Sequence, residues 1–271
     1  MKVSRSGNVE GRTMPAINAD GCPIYVEVEG PERAPVLMLS NSLGTTLHMW
    51  DRQVAPFTQH FRLVRYDRRG HGRSGVPKGP YTMERLGRDV LAVLDALNLS
   101  RINWCGLSMG GMVGQWLGAN APERIERLVL TNTSSYFADK TMWNDRLKLV
   151  RRKAFQRSPR RTWSAGSPRD SANVRPTPSR GCRRCSPRPR SKAISPAARR
   201  CATWTTAKIK APTLVIAGKH DPATPPEANE YIKNHIPGAR LALLDAAHIS
   251  NVEQAEAYTN AVLEFLLDRS R

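Results

Sequence analysis

Along most of the chain, short apolar runs alternate with helical patterns. "PVLMLS" (35–40), "RLVRYD" (62–67), "INWCGLS" (102–108), "RLVLTNT" (127–133), "APTLVIAG" (211–218) and "ARLALLD" (239–245) are near-continuous apolar runs. Such runs mark strands buried on both faces, and therefore a largely parallel sheet. "PIYVEVEG" (23–30) follows the turn "ADG" and alternates as a hairpin strand does. Between the runs, Met83, Leu86, Val90, Val93, Leu94 and Leu97 fall on one face of a helix. "MGGMVGQWLGANAP" (109–122) opens a second helix that Pro122 stops near its end, and "EQAEAYTNAVLEFLLDRS" (253–270) is a third. Alternating strands and helices predict an α/β class, an open doubly wound sheet, mostly parallel and flanked by helices.

Residues 151–205 break this rhythm. They contain no Leu or Met, and Phe155, Val174 and Ile194 are their only large aliphatic or Phe side chains. They carry 8 Ser and 7 Pro. A segment of this composition cannot bury enough apolar surface to offset its ordering entropy, so it is expected to lack a packed core. It also dominates the charge. The whole chain is +19, but this window holds 14 Arg and 2 Lys against Asp170 alone, a net +15, which leaves +4 for the other 216 residues. A polyanion-binding fold is therefore not what the total charge implies.

The length of 271 residues suits one large α/β domain, or one with an insertion. The first residues carry no apolar run, so no secretory signal is expected, and Met1 and Met14 both stand as possible starts. No run of 18 apolar residues suggests a membrane span. Cys22 and Cys105 are isolated, and Cys182, Cys185 and Cys201 fall in the odd window. That is not a disulfide framework, and a cytoplasmic protein is the expectation.

The chemistry is concentrated in "CGLSMGG" (105–111), which follows a buried strand and opens a helix. It fits G-x-S-x-G with Gly106, Ser108 and Gly110, whose small residues permit a sharp strand-to-helix turn presenting the Ser108 hydroxyl. A serine nucleophile needs a base, and the base an orienting acid, in the chain order Ser, acid, His for this turn. Asp221 and His248 each follow a predicted strand and reach the same rim as Ser108. Asp245 and Asp139 are rival acids. His71, in "YDRRGHGRS", is read as shaping a turn, His220 adjoins the acid on the wrong element, and His48, His60 and His235 are read as surface or packing residues. Cys105 points the other way on its strand, into the core. Acyl transfer also needs donors for an oxyanion. The N–H of Met109 is one; the other is assigned to "NSLGT" (41–45), at Leu43, with Ser42 the alternative.

Together these residues resemble the α/β-hydrolases, and among them the 3-oxoadipate enol-lactonases. The resemblance rests on "LSNSLGTTLHMWD" (39–51), "RYDRRGHGRS" (65–74), "GPYTMERLGRDVLAVLDALN" (79–98), "GLSMGGMVGQWLGANAPERIERLVLTNTS" (106–134), "APTLVIAGKHDPATPPE" (211–227) and "AAHISNVEQ" (246–254). "SNSLGT", where most hydrolases have His-Gly, and "AAHISNVE" are its most specific parts. It covers about 16–150 and 207–268. It implies Ser108 as nucleophile, Asp221 as orienter, His248 as base, a small lactone as substrate, and no cofactor or metal. It also implies a domain plan: an extension over 1–15, core over 16–135, a lid insertion over 136–206, and core again over 207–271.

Against that plan, residues 151–205 keep the expected length but not the expected character. Compensated frame-shifting of a GC-rich gene produces this Arg, Pro, Ser, Ala and Gly composition. Cys201-Ala-Thr-Trp-Thr205 must be encoded TGY GCN ACN TGG ACN, and reading from the third base permits Arg-Asp-Met-Asp, which resembles the end of the family's lid. "RGCRRCSPRPRS" (180–191) is then no functional motif. Other readings weigh less. A zinc knuckle from Cys182, Cys185 and Cys201 lacks a nearby fourth ligand. A specific nucleic-acid arm would need more aromatics than Phe155, Trp163 and Trp204 supply, although charge alone favours non-specific binding. A carboxylesterase of other specificity and an inactive product are the remaining alternatives.

Overall fold

The computed structural model describes residues 12–13, 16–135, 141, 145, 148–149 and 206–268. The lid expected over 136–206 lies outside the described residues except at isolated positions, as do Asp139, Cys182, Cys185 and Cys201.

Strands β1 (Arg12–Thr13), β2 (Ile17–Ala19) and β3 (Cys22–Glu29) lead into β4 (Val36–Ser40), α1 (Asp51–Thr58) and β5 (Arg62–Asp67). Then come α2 (Met83–Ala96), β6 (Ile102–Leu107), α3 (Met109–Asn120) and β7 (Ile125–Thr131). After the insertion follow β8 (Thr213–Gly218), α4 (Pro226–His235), β9 (Arg240–Leu244), α5 (Ser250–Glu253) and α6 (Ala255–Leu267). The sheet runs β1-β3-β5-β4-β6-β7-β8-β9, with β2 paired to β3. β3 meets β5 antiparallel, whereas β5, β4, β6, β7, β8 and β9 are parallel neighbours. Because β7 pairs with β8, the whole insertion leaves and rejoins the sheet between two adjacent strands.

The period of two along each strand sorts the core into two layers. Met38, Val64, Trp104, Leu128 and Val215 face one side, where α2, α3 and α4 lie. Leu37, Leu39, Leu63, Cys105, Val129 and Ile216 face the other, against α1 and α6. Helix α2 buries Met83, Leu86, Val90, Val93 and Leu94, and Leu97 just past its end, each contributing about 1.5–3 kcal/mol. Its Thr82 N-cap side chain accepts the Arg85 N–H, and the chain leaves it at Asn98 with φ 53°.

One expectation fails. "ARLALLD" reads as buried on both faces, yet β9 closes the edge of the sheet and Leu243 is 47% exposed. At the edge both faces are only partly covered, Leu241 packing on one core layer and Ala242 and Leu244 on the other. Two helices also escape the apolar pattern. α1 buries only Gln53 and Phe57, and α4 only Asn229 and Ile232, too few to mark a stripe. Among the described residues no helix is long and apolar enough to cross a membrane.

Candidate active site

Ser108 sits between β6 and α3 at φ 58° and ψ −115°, a conformation an L-residue takes only under constraint. The constraint is the packing of its glycines. A Cβ on Gly106 would lie 2.3 Å from the Gly110 carbonyl oxygen, and one on Gly110 would lie 2.2 Å from that of Ser40. The turn is pinned to β7 on the other side. The Ser108 N–H donates to the Thr131 carbonyl at 2.8 Å, and the Thr133 hydroxyl donates to the Ser108 carbonyl at 2.7 Å. Close packing thus holds the strained residue in place.

The three residues that the chain order suggests are brought together. His248 Nε2 lies 3.0 Å from Ser108 Oγ, and Nδ1 lies 2.7 Å from Asp221 Oδ2. A carboxylate only accepts, so Nδ1 carries the proton and Nε2 presents its lone pair to the serine hydroxyl. Asp221 is buried, and burial alone would raise its pKa. Hydrogen bonds from His248, the Thr224 hydroxyl, Asn132 and the Thr224 amide outweigh that and hold it down to about 2. Asp221 therefore stays anionic beside the imidazole N–H it accepts. The arrangement can move the Ser108 proton to His248 while Oγ attacks an acyl carbon.

The expected oxyanion donors are Leu43, in the loop after β4, and Met109, at the start of α3. Gly110 N–H donates to the Asn41 carbonyl at 3.1 Å, tying this loop to the serine turn. Ser42 N–H is directed at Met49 Sδ, 3.2 Å away. The Leu43 and Met109 N–H groups have no hydrogen-bond acceptor among the described residues. The remaining rival acid is elsewhere: Asp245 pairs with His220 at 2.9 Å, and both are exposed. His60 and His235 are exposed, and Cys105 is buried against the Tyr258 hydroxyl at 3.1 Å. Among the described residues no group of three or more His, Cys, Asp or Glu is gathered for a metal.

Sequence reasoning missed the supports of the acid. Asn132, at φ 44° directly after β7, donates to Asp221 Oδ2 at 3.0 Å and to the Ala247 carbonyl at 3.0 Å. Ser250 donates to the Asn132 amide oxygen at 2.7 Å. Thr224 closes the turn after Asp221, with Ala223 and Thr224 N–H on Oδ1 at 2.8 and 3.1 Å. The Asp-x-x-Thr spacing of "DPAT" was the available signal for that turn. Nothing local marks Asn132.

A serine on a strand-to-helix turn, with His and Asp following on later strand ends of a mostly parallel sheet, defines the α/β-hydrolase class. The chain belongs to the α/β-hydrolase fold family, whose sequence model matches residues 35–173; a second model, TAP-like protein, matches 176–271. It is 37% identical to 3-oxoadipate enol-lactonase 2 of Acinetobacter baylyi, over 86% of this chain and 89% of that one. With 3-oxoadipate enol-lactonase 1 of the same organism it shares 33%, over 89% and 92%. Among solved structures it resembles the enol-lactonase from Burkholderia xenovorans LB400, with a TM-score of 0.75, 34% identity and coverage of 94% and 100%. A hydrolase from Pseudomonas aeruginosa PA01 gives a TM-score of 0.76, 38% identity and coverage of 97% and 99%.

Proposed function

We propose that this ester hydrolase opens 3-oxoadipate enol-lactone to 3-oxoadipate, a step of aromatic-compound catabolism in the cytoplasm. The Ser108–His248–Asp221 hydrogen-bonded line carries the chemistry, with spacings of 3.0 and 2.7 Å. The substrate is inferred from the two enol-lactonase relatives, matched over most of their length.

The hydrogen-bonded spacing supports nucleophilic acyl transfer. His248 Nε2 takes the Ser108 proton as Oγ bonds to the lactone carbonyl carbon. The carbonyl electron pair moves to oxygen, which the Leu43 and Met109 amides hold, a contribution of about 3–4 kcal/mol per donor. Collapse breaks the ring C–O bond, the protonated His248 passes its proton to the leaving enolate oxygen, and the resulting enol becomes the ketone of 3-oxoadipate. Water, deprotonated by His248, then cleaves the acyl-serine. The small lactone is the proposed partner, without a specific nucleic acid or a membrane.

The test is incubation of the purified chain with the synthetic enol-lactone, with 3-oxoadipate followed by mass spectrometry. A p-nitrophenyl ester serves as control. Ester turnover without lactone turnover would leave a serine esterase and remove this substrate.

A further inference from the structure

The segment "YDRRGHGRS" (66–74) contributes no residue to the Ser108–His248–Asp221 line, yet it grips the loop that carries Leu43, one of the two proposed oxyanion donors. Arg68 is buried, and its guanidinium forks onto two successive carbonyls. Nη1 donates to Asn41 at 2.8 Å and Nη2 to Ser42 at 2.7 Å. Its Nε has no partner, and among the described residues no carboxylate pairs with it. A buried cation spent on two backbone carbonyls is costly. Three residues on, His71 Nδ1 faces the Arg69 carbonyl at 3.2 Å, so it is the protonated nitrogen. Nε2 therefore accepts, and the donor is the Gly44 N–H at 3.0 Å.

Peptide geometry turns these contacts into a statement about the site. The Ser42 C=O and the Leu43 N–H belong to one trans peptide and point in opposite directions. Fixing the Ser42 carbonyl on Arg68 therefore turns the Leu43 N–H away from Arg68. The cation also polarises that peptide and strengthens its N–H as a donor. The Asn41 carbonyl shared by Arg68 and Gly110 N–H locks this peptide's position to the serine turn. His71 engages the next N–H, at Gly44, and fixes the far end of the same peptide pair.

We propose that Arg68 and His71 are positioning residues of the oxyanion hole, clamping residues 41–44 so that the Leu43 N–H alone is presented beside Met109. Neither touches substrate. The proposal rests on the reading of Ser108 as nucleophile, but not on the identity of the lactone.

The experiment measures kcat, KM and inhibition by an aryl trifluoromethyl ketone in the full chain. In the inhibitor adduct Ser108 Oγ bonds to the ketone carbon, its proton passes to His248, and the carbonyl pair becomes an oxyanion. His71→Gln keeps an acceptor for Gly44, whereas His71→Asn keeps the bond to Arg69 and leaves Gly44 unpaired. His71→Asn should lose about tenfold or more in kcat for p-nitrophenyl acetate, with the inhibitor weakened by a similar factor and KM little changed. His71→Gln should stay within about threefold of the parent. Arg68→Met should lose about a hundredfold in both quantities, and Arg68→Lys less. Equal damage in His71→Gln and His71→Asn, or slower turnover without weaker inhibition, would assign these residues to the turn alone and overturn the proposal. Should Arg68→Met not fold, the His71 pair decides. A parent chain that turns over no ester and is not labelled at Ser108 by a fluorophosphonate would instead remove the nucleophile reading itself.

Discussion

Asn132 donates to the same carboxylate oxygen of Asp221 that holds the His248 imidazole, at 3.0 Å against 2.7 Å. Asp221 is thus held from the residue after β7 as well as from its own turn. Asn132 also joins it to the His248 loop through the Ala247 carbonyl. Asn132→Gly keeps the left-handed backbone unstrained and removes these bonds together with the one accepted from Ser250. It should lower kcat/KM about ten- to a hundredfold and cost about 1–3 kcal/mol of stability. The pH direction is fixed by linkage. A carboxyl held down to about 2 when folded, and ordinary when unfolded, stabilises the fold above the unfolded value and loses that stability as pH falls through about 2. With one donor fewer, acid unfolding of Asn132→Gly should begin at a higher pH, measured by circular dichroism.

Ser108 combines a hydroxyl 3.0 Å from His248 Nε2 with φ 58°. Ser108→Gly and Ser108→Ala should both abolish fluorophosphonate labelling. Only glycine relieves the backbone, so Ser108→Gly should be more stable than Ser108→Ala by about 1 kcal/mol. Equal melting temperatures would show that the turn stores no strain.

The close approach at the turn predicts a severe effect from one methyl group. In Gly110→Ala the new Cβ meets the Ser40 carbonyl at 2.2 Å, and backbone must move. Stability should fall by about 2 kcal/mol or more. Ester turnover should fall at least about a hundredfold, because the Gly110–Asn41 link between the two donors shifts with it.

His71 predicts a second pH signature, distinct from Asp221. Burial and the Arg68 charge push its pKa down to about 4, against 6.5 when unfolded. Between those values the unfolded chain binds more protons than the folded one. Stability therefore falls as pH drops from about 6.5 to about 4, by up to about 3 kcal/mol, and this contribution levels off below that. His71→Gln should flatten this slope in urea titrations. An unchanged slope would place the proton uptake elsewhere.

The composition of 151–205 leads to a prediction about the gene. Resequencing codons 145–210, or restoring the alternative frame over them, should give a sequence without the excess of Arg, Ser and Pro. The restored protein should gain much more in kcat/KM for the enol-lactone than for a p-nitrophenyl ester, because substrate positioning is more demanding than attack on an activated ester. Equal lactone activity in the two proteins would show that the basic window is compatible with full function.

Much of this protein is legible in its sequence. Continuous apolar runs such as "PVLMLS" and "TLVIAG" form strands covered on both faces, and the parallel sheet follows from them. G-x-S-x-G specifies its own local turn, because its glycines are needed wherever that turn forms. Chain order then selects Asp221 and His248. These features depend on near neighbours in the chain, where residue type and spacing act directly. The rest depends on residues far apart in sequence. That β9 lies at the edge follows from strand order, not from "ARLALLD". Asn132 reaches Asp221 across 89 positions, and Arg68 reaches Asn41 and Ser42 across 27 and 26. No local pattern encodes such pairings. Only packing the strand ends on one rim brings the Asn132 amide onto Asp221, and the buried Arg68 guanidinium onto the carbonyls of Asn41 and Ser42.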